Sequence, residues 1–261
     1  MWYNFLVIEM MIDTHCHLDK EDYPDLDLVI KKMNGNIMIV SGASDSSNRQ
    51  VVELCNKFEN IYGTIGIHPE EIDESIDTYL EFIENNINNP KIVGIGEIGL
   101  DYHYNDVDKD IQKKYFIEQL ELARKYKKSV VIHSRDAIQE TYDILKNYYD
   151  LKVDIHCFSS SLEMAREFIK LGFKLGIGGV LTFKNSEKLK NVVKNVPLET
   201  LMLETDSPYL TPEPFRGKRN EPYNIYYVAK EIARLKEISL EEVLKETTVV
   251  AIRQFDLEDI L

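Results

Sequence analysis

The segment Met11-Ile-Asp-Thr-His-Cys-His17 determines which parallel α/β fold this sequence encodes. Its start, Met11–Asp13, has the character of a short buried strand, and a polar run with two histidines follows at once. An open doubly wound sheet usually places a glycine-rich phosphate turn after its first strand. Here that position holds His15 and His17 and no glycine. We therefore expect a closed barrel rather than an open nucleotide-binding sheet.

Eight short apolar runs recur along the chain, separated by longer amphipathic stretches. Strands that are buried on both faces, as in parallel sheets, have this apolar and β-branched character. The intervening stretches return apolar residues every three or four positions, which is the period of a helix. Eight strand–helix units in about 250 residues predict a single-domain TIM (β/α)8 barrel. The runs are Met11–Asp13, Ile37–Ser41, Tyr62–Ile67, Ile92–Gly96, Val130–Ile132, Val153–Ile155, Lys174–Ile177 and Leu201–Leu203.

Two further helical patterns, Tyr223–Lys236 and Leu240–Phe255, follow the last run and are expected to cover the barrel wall or its bottom. The opening run Met1–Ile8 lacks the basic region and cleavage site of a signal peptide and is too short to cross a bilayer. We interpret residues 1–10 as an N-terminal extension or a misassigned start. Residues 11–261 are then the barrel domain.

The composition limits the classes of function. The chain has 261 residues, of which 44% are apolar and 29% charged, and this excludes fibrous and disordered proteins. Its three cysteines, Cys16, Cys55 and Cys157, are too few for a disulfide scaffold and indicate a reducing, cytoplasmic compartment. The net charge of −14 argues against a protein that coats duplex DNA by bulk electrostatics. Metal ions and a local basic cluster can still attract a nucleic acid substrate.

Histidines and carboxylates gather at the predicted strand ends, which converge on one mouth of a TIM barrel. His15 and His17 are alternate residues of an extended segment, so both side chains point to the same side and can hold one ion. Six candidate ligands are too many for one ion and suit two ions that share a bridge. Glu97 is the natural bridge, because its central strand position lets one carboxylate reach both ions. The six candidates are His15, His17, Glu97, His133, His156 and Asp206.

The ligand types restrict the metals and the chemistry. Imidazole with carboxylate suits Zn, Mn, Fe, Co or Ni, and Mg can act where it is abundant. Two such ions activate water and neutralise charge on a phosphoryl or acyl oxygen. Cys16 and Cys157, although next to ligand histidines, are expected to be small buried residues. Asp13 is expected to support the ligands from behind, and the glycines between 176 and 179 to form a close-packed turn.

Six motifs follow one another along the chain at the spacing of barrel strands. They are Met11–Asp19, Gly66–Pro69, Gly96–Tyr102, His133–Ala137, His156–Ser159 and Glu204–Pro212, the last followed by Arg216–Pro222. Together they resemble the TatD family of metal-dependent deoxyribonucleases, within the amidohydrolase superfamily. The resemblance covers Met11 to about Phe255. The chain departs from the family pattern at Ser160, where glycine is usual, and at Val250, where asparagine is usual.

The resemblance implies a TIM barrel, two divalent metal ions per chain and hydrolysis of nucleic acid phosphodiesters, typically from a 3′ end of single-stranded DNA. It assigns His15, His17 and Asp206 to one ion, His133 and His156 to the other, and Glu97 to both. It also makes His68 and Glu204 functional candidates beside Asp206 and Glu97.

Several residues near these motifs are candidates for binding substrate. Arg135 follows His133 by two positions, so it can face the mouth and hold a phosphate by a bidentate fork, or else pair with a carboxylate. The basic cluster after Asp206 can bind phosphate or be a solvated loop. Tyr102, like its neighbours His103 and Tyr104, can stack on bases or pack the loop. The basic cluster consists of Arg216, Lys218 and Arg219.

Two enzymatic functions stay open at this point. The first is a phosphodiesterase, acting as a 3′–5′ exodeoxyribonuclease on single-stranded ends, in which Asp206 handles the proton. The second is a metal-dependent ester or amide hydrolase, such as a D-aminoacyl-tRNA deacylase. A noncatalytic scaffold is disfavoured because every expected ligand is present. We expect a nucleic acid substrate, no membrane association and no obligate protein partner.

Overall fold

The computed structural model describes residues 10–104 and 106–258, and it contains the predicted barrel. Eight parallel strands lie in the order β1 to β8, each beside the next in the chain. The interpretation of residues 1–10 as an extension falls outside the described residues, apart from Met10. The strands are β1 Ile12–Cys16, β2 Ile37–Ser41, β3 Ile61–Ile65, β4 Ile92–Asp101, β5 Ser129–Arg135, β6 Val153–Ile155, β7 Lys174–Ile177 and β8 Leu201–Leu203.

Helices lie between the strands and complete the (β/α)8 pattern. Several begin at a side-chain cap; Ser44, for example, forms a reciprocal capping box with Ser47 before the second helix. The helices are α1 Leu26–Lys32, α2 Asp45–Lys57, α3 Ile76–Asn86, α4 Lys109–Tyr126, α5 Ile138–Leu145, α6 Leu162–Lys170, α7 Glu187–Asn195, α8 Ile225–Lys236 and α9 Leu240–Gln254. Among the residues described, no helix combines the length and apolarity that a membrane span requires.

The strand predictions are confirmed, with differences in length at four strands. β3 begins one residue earlier than predicted and ends at Ile65 rather than at Ile67. The runs predicted for β2, β6, β7 and β8 have the observed bounds. By contrast, β1, β4 and β5 continue past their apolar cores through His15, Glu97 and His133. These polar residues keep the backbone ladder, as the pairing of Gly99 with His133 shows. Apolar character therefore located each strand but did not mark its end, since the polar ends of β1 and β4 are also buried.

Alternation along the strands separates an inner core from an outer one. On β2, Ile37 and Ile39 face the barrel interior, whereas Met38 and Val40 pack against the helices. The next inward position is Ser41, which is polar and contacts His15. The interior is thus apolar at the amino ends of the strands and polar at their carboxyl ends, where the active site of a TIM barrel is expected.

The barrel closes between β8 and β1 through the segment that follows β8. The amide of Asp206 donates to the carbonyl of His15 (3.0 Å), and the amide of His17 donates to the carbonyl of Ser207 (2.7 Å). The buried Asp13 carboxylate accepts from the amide (2.9 Å) and the hydroxyl (2.6 Å) of Thr205. Asp13 therefore supports the ligand layer from behind, as expected, and also joins the two edges of the barrel.

Helix α9 covers the bottom of the barrel, in agreement with the prediction for Leu240–Phe255. Val250 and Phe255 are buried with Ile12, Val131 and other inward residues of the strands. Val250, where the family pattern has asparagine, therefore lies in an apolar cluster at the end opposite the ligands. Its departure from the pattern leaves the ligand layer unchanged.

Replacing Phe255 with Ala tests this closure. The ring is 2% exposed, so we expect the free energy of unfolding to fall by about 3–5 kcal/mol. Chemical denaturation measures the change. Tyr149→Ala removes an aromatic ring that is 70% exposed and is expected to cost no more than about 0.5 kcal/mol. Equal effects of the two substitutions would contradict the assignment of Phe255 to the core.

Candidate metal centre

Glu97 lies at an irregularity of β4, where the pairing with β5 shifts between Ile95 and Ile98. A bulge of this kind turns one side chain out of the regular alternation. The carboxylate of Glu97 is 4% exposed. Gly96 is required beside it, since a Cβ atom there would lie 2.7 Å from the Cβ of Val131. Local backbone geometry thus directs Glu97 into the centre of the mouth.

The two carboxylate oxygens of Glu97 face different histidines. Oε2 lies 3.4 Å from Nε2 of His15 and 3.6 Å from Nε2 of His17. Oε1 lies 2.8 Å from Nδ1 of His133 and 3.6 Å from Nε2 of His156. One carboxylate therefore reaches two pairs of imidazoles, which is the arrangement expected of a bridging ligand.

Asp206 completes the layer from the segment after β8. Its Oδ1 lies 3.6 Å from Nε2 of His17, 3.8 Å from Nε2 of His15 and 4.0 Å from Nε2 of His156. Its backbone is in the left-handed region, with φ 53°, a conformation that aspartate tolerates better than most residues. The structure thus brings all six predicted metal ligands together.

Hydrogen bonds behind the layer orient two of the imidazoles. Nδ1 of His17 lies 2.9 Å from the carbonyl oxygen of Ser41, which can only accept, so Nδ1 carries the proton and Nε2 keeps its lone pair. Nδ1 of His156 lies 3.2 Å from Oε2 of Glu204, and Oε1 of Glu204 accepts from the amide of Cys157 (2.7 Å). Contacts of this type fix the tautomer and orientation of metal-binding histidines. Glu204, a functional candidate from the resemblance, therefore positions His156.

Gly176 makes room for this carboxylate. A Cβ atom at position 176 would lie 2.1 Å from Oε2 of Glu204, and one at Gly179 would lie 2.0 Å from the carbonyl oxygen of Leu210. These glycines allow close packing beside the site, and the expectation of a close-packed turn is confirmed. Cys16 is buried as expected, with Sγ directed away from the ligands toward the carbonyl of Ile39 (3.7 Å).

His133 lies between two carboxylates. Its Nδ1 faces Glu97, and its Nε2 lies 2.9 Å from Oδ2 of Asp101. His68 is further out, with Nε2 3.9 Å from Oε1 of Glu97 and Nδ1 accepting from the amide of Glu70 (3.2 Å). His68 therefore caps the short helix Pro69–Glu71 at the edge of the site.

Burial and charge set the protonation of the site. Burial alone would raise the pKa of Glu97, but the charges of His156 and His15 and the hydrogen bond from His133 hold it well below its ordinary value. Burial lowers the pKa of His15 well below its ordinary value and raises that of Asp206 to about 6. Burial acts to lower the pKa of His133 and His156, but neighbouring carboxylates raise it, to about 9 for His133 and well above the ordinary value for His156. These two imidazoles would therefore release a proton on binding a divalent metal, which takes histidine in its neutral form. The donor set therefore fits the implied ions.

The cavity above the ligand layer has a volume of about 1000 Å³. Of the predicted substrate-binding residues, Arg135 lines it, together with its neighbour Tyr104. The guanidinium of Arg135 lies 5.1 Å from the ring centre of Tyr104. No carboxylate lies within ion-pair distance of Arg135 among the residues that the structure describes. Arg135 is thus a cation at the mouth that is available to substrate.

The other predicted substrate residues make structural contacts. The Tyr102 hydroxyl donates to Glu140 (2.5 Å), and Lys109 covers its ring, so Tyr102 packs the loop. Arg219 forms a bidentate pair with Asp25 (2.7 and 2.9 Å). Lys218 and Arg219 line a separate cavity of about 540 Å³, and Arg216 stacks on Phe183. The basic cluster therefore does not line the mouth, in contrast to its expected place beside Asp206.

Three residues of the site were not predicted: Ser41, Asp101 and Tyr209. Asp101 is four residues beyond Glu97 on the same strand, a spacing that places both carboxylates on one face. Tyr209 follows Asp206 by three residues, and its ring lies 6.4 Å from that of His17. Ser41 and Asp101 both end a strand, so a search that included serine and aspartate at strand ends would have found them.

Comparison with known proteins gives a consistent result. Residues 12–256 match the family model described as "TatD related DNase". The uncharacterized metal-dependent hydrolase YabD of Bacillus subtilis is 42% identical, over 94% of this chain and 99% of its own. The uncharacterized metal-dependent hydrolase YcfH of Escherichia coli is 33% identical, over 95% and 96%. The crystal structure of YJJV, a TatD homologue from Escherichia coli, superposes with a TM-score of 0.86 at 28% identity, covering 97% of this chain and 99% of that one.

The geometry predicts two divalent ions per chain. Protein purified without chelator and then supplied with excess metal should approach two equivalents by elemental analysis, because the six ligands form two sets around Glu97. Glu97→Ala removes the shared ligand and should lower the stoichiometry while circular dichroism stays unchanged. A wild-type protein that binds no metal would contradict the site.

Glu204→Gln tests the orientation of His156. The amide keeps the shape of the side chain but loses its charge, so metal affinity at the His156 position should fall about 10- to 100-fold. Titration calorimetry measures this change. Glu59→Gln, at an exposed position near the bottom of the barrel, is the matched control and should leave affinity unchanged. Equal affinities in the two variants would show that Glu204 does not position His156.

Proposed function

The chain belongs to the TatD family of metal-dependent hydrolases, and we propose that it is an exodeoxyribonuclease that removes nucleotides from the 3′ end of single-stranded DNA. The observation that supports this proposal most directly is the position of Glu97. Each of its two carboxylate oxygens faces a different pair of histidines. Such a site suits two cations side by side. A pair of divalent ions supplies an activated water and stabilises the attacking and leaving oxygens of a phosphoryl transfer.

The ligand sets are those that the family resemblance implies, and the contacts of Glu97 are compatible with them. His15, His17 and Asp206 would hold one cation, and His133 and His156 would hold the other, with Glu97 shared. Ser41 and Glu204 keep the imidazoles in the required orientation, and Asp101 faces His133. The protein thus enters the reaction with its ligands already placed.

We assign proton transfer to Asp206. It borders the cavity, and its Oδ1 lies within 4.0 Å of the imidazoles of three ligand histidines, so it is placed to take a proton from the attacking water and later release it. Hydrolysis adds the oxygen of water to phosphorus and breaks the P–O3′ bond. The proton goes to that 3′ oxygen, so the upstream strand keeps a 3′ hydroxyl. The terminal nucleotide leaves with a 5′ phosphate.

The barrel interior supports attack at a strand end. Below the ligands lie Asp13 and Ser41, and below these an apolar cluster that includes Ile39 and Val131. A filled interior of this kind gives a DNA strand no passage through the barrel. The strand must therefore approach from above and present an end or a sharply bent segment.

An assay on three substrates tests the proposal. With metal-reconstituted protein, a linear single strand labelled at its 5′ end should give a descending ladder of products. A closed circular single strand should stay intact, because it has no end. D-Aminoacyl-tRNA should stay acylated.

Glu97→Ala is the inactive control for this assay. Efficient cutting of the circle would overturn the exonuclease mode. Deacylation of the tRNA without cleavage of DNA would overturn the choice of substrate and favour an ester hydrolase on the same site.

Arg135→Ala tests the contact with phosphate. Because the cation lines the mouth without an ion-pair partner, its loss should raise KM for single-stranded DNA and reduce the salt dependence of binding by about 0.7 in the log–log slope. Fluorescence anisotropy at several salt concentrations measures the slope. Arg166→Ala, at an exposed position on α6, is the control. An unchanged slope for Arg135→Ala would remove this residue from the substrate site.

A further inference from the structure

Two exposed tyrosines stand on opposite sides of the mouth. Tyr209 follows β8 and lies beside His17 at the end of β1, whereas Tyr104 follows β4 and contacts Arg135 at the end of β5. In a barrel with the strand order β1 to β8, the β8–β1 and β4–β5 positions are diametrically opposed. The metal ligands lie between them. The mouth therefore has one aromatic surface on each side of the reacting centre.

Tyr209 is held in place by its backbone while its side chain stays accessible. Its amide donates to the carbonyl of Asp206 (2.8 Å), and its carbonyl accepts from Nδ2 of Asn220 (2.7 Å). The side chain is nevertheless 59% exposed. A large ring that is fixed at its base and open on its face is suited to stacking on a nucleobase.

The charges on the two sides differ. The loop after β1 brings Asp19, Glu21 and Asp22 to the mouth on the side of Tyr209. Lys20, the one cation of that loop, also lines the mouth, and its Nζ lies 3.4 Å from Oε2 of Glu53. Within the described part of the chain, no cation forms an ion pair with the three carboxylates. With three carboxylates and one lysine, this side of the mouth has a net negative charge.

Tyr209 lies within reach of this negative charge. Burial raises the pKa of its hydroxyl, and the charges of Asp22 and Asp19 raise it further. The opposite side carries the unpaired cation Arg135. Glu70 and Glu71 also line the mouth, but they follow β3, two strands from β1 and two from β5.

We propose that Tyr209 and the acidic loop Asp19–Asp22 form the subsite for the 3′-terminal nucleoside, and that Tyr104 and Arg135 hold the strand upstream of the cleaved bond. The assignment rests on the proposed exonuclease function and adds the direction in which the DNA strand lies across the mouth. The terminal nucleoside ends in a hydroxyl and needs only a stacking surface. The upstream strand continues as a polyanion and needs a cation. Negative charge beyond the terminal nucleoside repels any further phosphate, so the same loop selects for a strand end.

The first test compares two forms of one oligonucleotide, ending in a 3′ hydroxyl or a 3′ phosphate. A terminal phosphate carries between one and two negative charges near pH 7, and it would lie against the acidic loop. We expect the wild-type enzyme to cleave the phosphorylated form at least tenfold more slowly. Glu21→Gln with Asp22→Asn should restore most of this loss, so that the ratio of the two rates falls toward one.

The outcomes of this comparison are distinguishable. Cleavage of both forms at equal rates by the wild-type enzyme would overturn the subsite while leaving the exonuclease function intact. If the double variant still cleaved the 3′-phosphate form more slowly by the same factor, the subsite would also be overturned. The slow cleavage would then not depend on the negative charge of the acidic loop. Glu59→Gln should leave the ratio of the two rates unchanged. An absence of DNA cleavage by the metal-loaded wild type would instead overturn the proposed function.

The second test isolates stacking on Tyr209. Tyr209→Ala should raise KM about tenfold with kcat nearly unchanged, and Tyr209→Phe should keep the wild-type value, because stacking needs the ring and not the hydroxyl. On a strand whose 3′-terminal residue is a tetrahydrofuran abasic analogue, wild type and Tyr209→Ala should become equivalent. Tyr149→Ala controls for the loss of an exposed tyrosine. A KM effect of Tyr209→Ala that persists on the abasic strand would overturn the stacking assignment.

Discussion

A carboxylate buried among imidazoles determines the arrangement of the mouth. An isolated ionised carboxylate in a protein interior costs several kcal/mol, so Glu97 requires compensating partners. Histidines on β1 and β5 and directly after β6 surround it, and divalent cations held by these residues would add further positive charge. The same charge requires a polar ligand layer directly above an apolar core. The division of the barrel into a reactive top and a structural bottom follows from this one group.

The sequence predicted the parts of the fold that depend on apolar periodicity. Four strands have the predicted bounds because each has a mainly apolar core, although β2 ends at Ser41, β6 contains Asp154 and β7 begins at Lys174. The ligand strands are longer than predicted, since His15, Glu97 and His133 continue the ladder although they are polar. The bulge at Glu97 has no signature in apolar patterning beyond Gly96. Local pattern thus locates buried strands, while hydrogen bonding across the sheet determines where they end.

The candidate site also has a part that the sequence predicted and a part that it did not. Histidines and carboxylates at strand ends were predictable, because parallel strands bring their carboxyl ends to one mouth. Side-chain contacts between distant segments were not. Arg219 is drawn to Asp25 and Tyr102 to Glu140 by partners far away in the chain, so proximity in sequence to Asp206 or Glu97 did not place them at the substrate. Charge clusters are informative about binding only when their local partners are known.

The closure between β8 and β1 links assembly of the barrel to the supply of metal. The hydrogen bonds that join the edges run through His15, His17 and Asp206, three of the residues that hold an ion. A chain that is open at this edge would have separated ligands, whereas a closed chain presents them together to an ion. Any ligand that favours the closed form stabilises it by mass action. A divalent metal held by these residues would therefore act as a folding ligand, and its removal would lower the stability of the closed barrel as well as the activity.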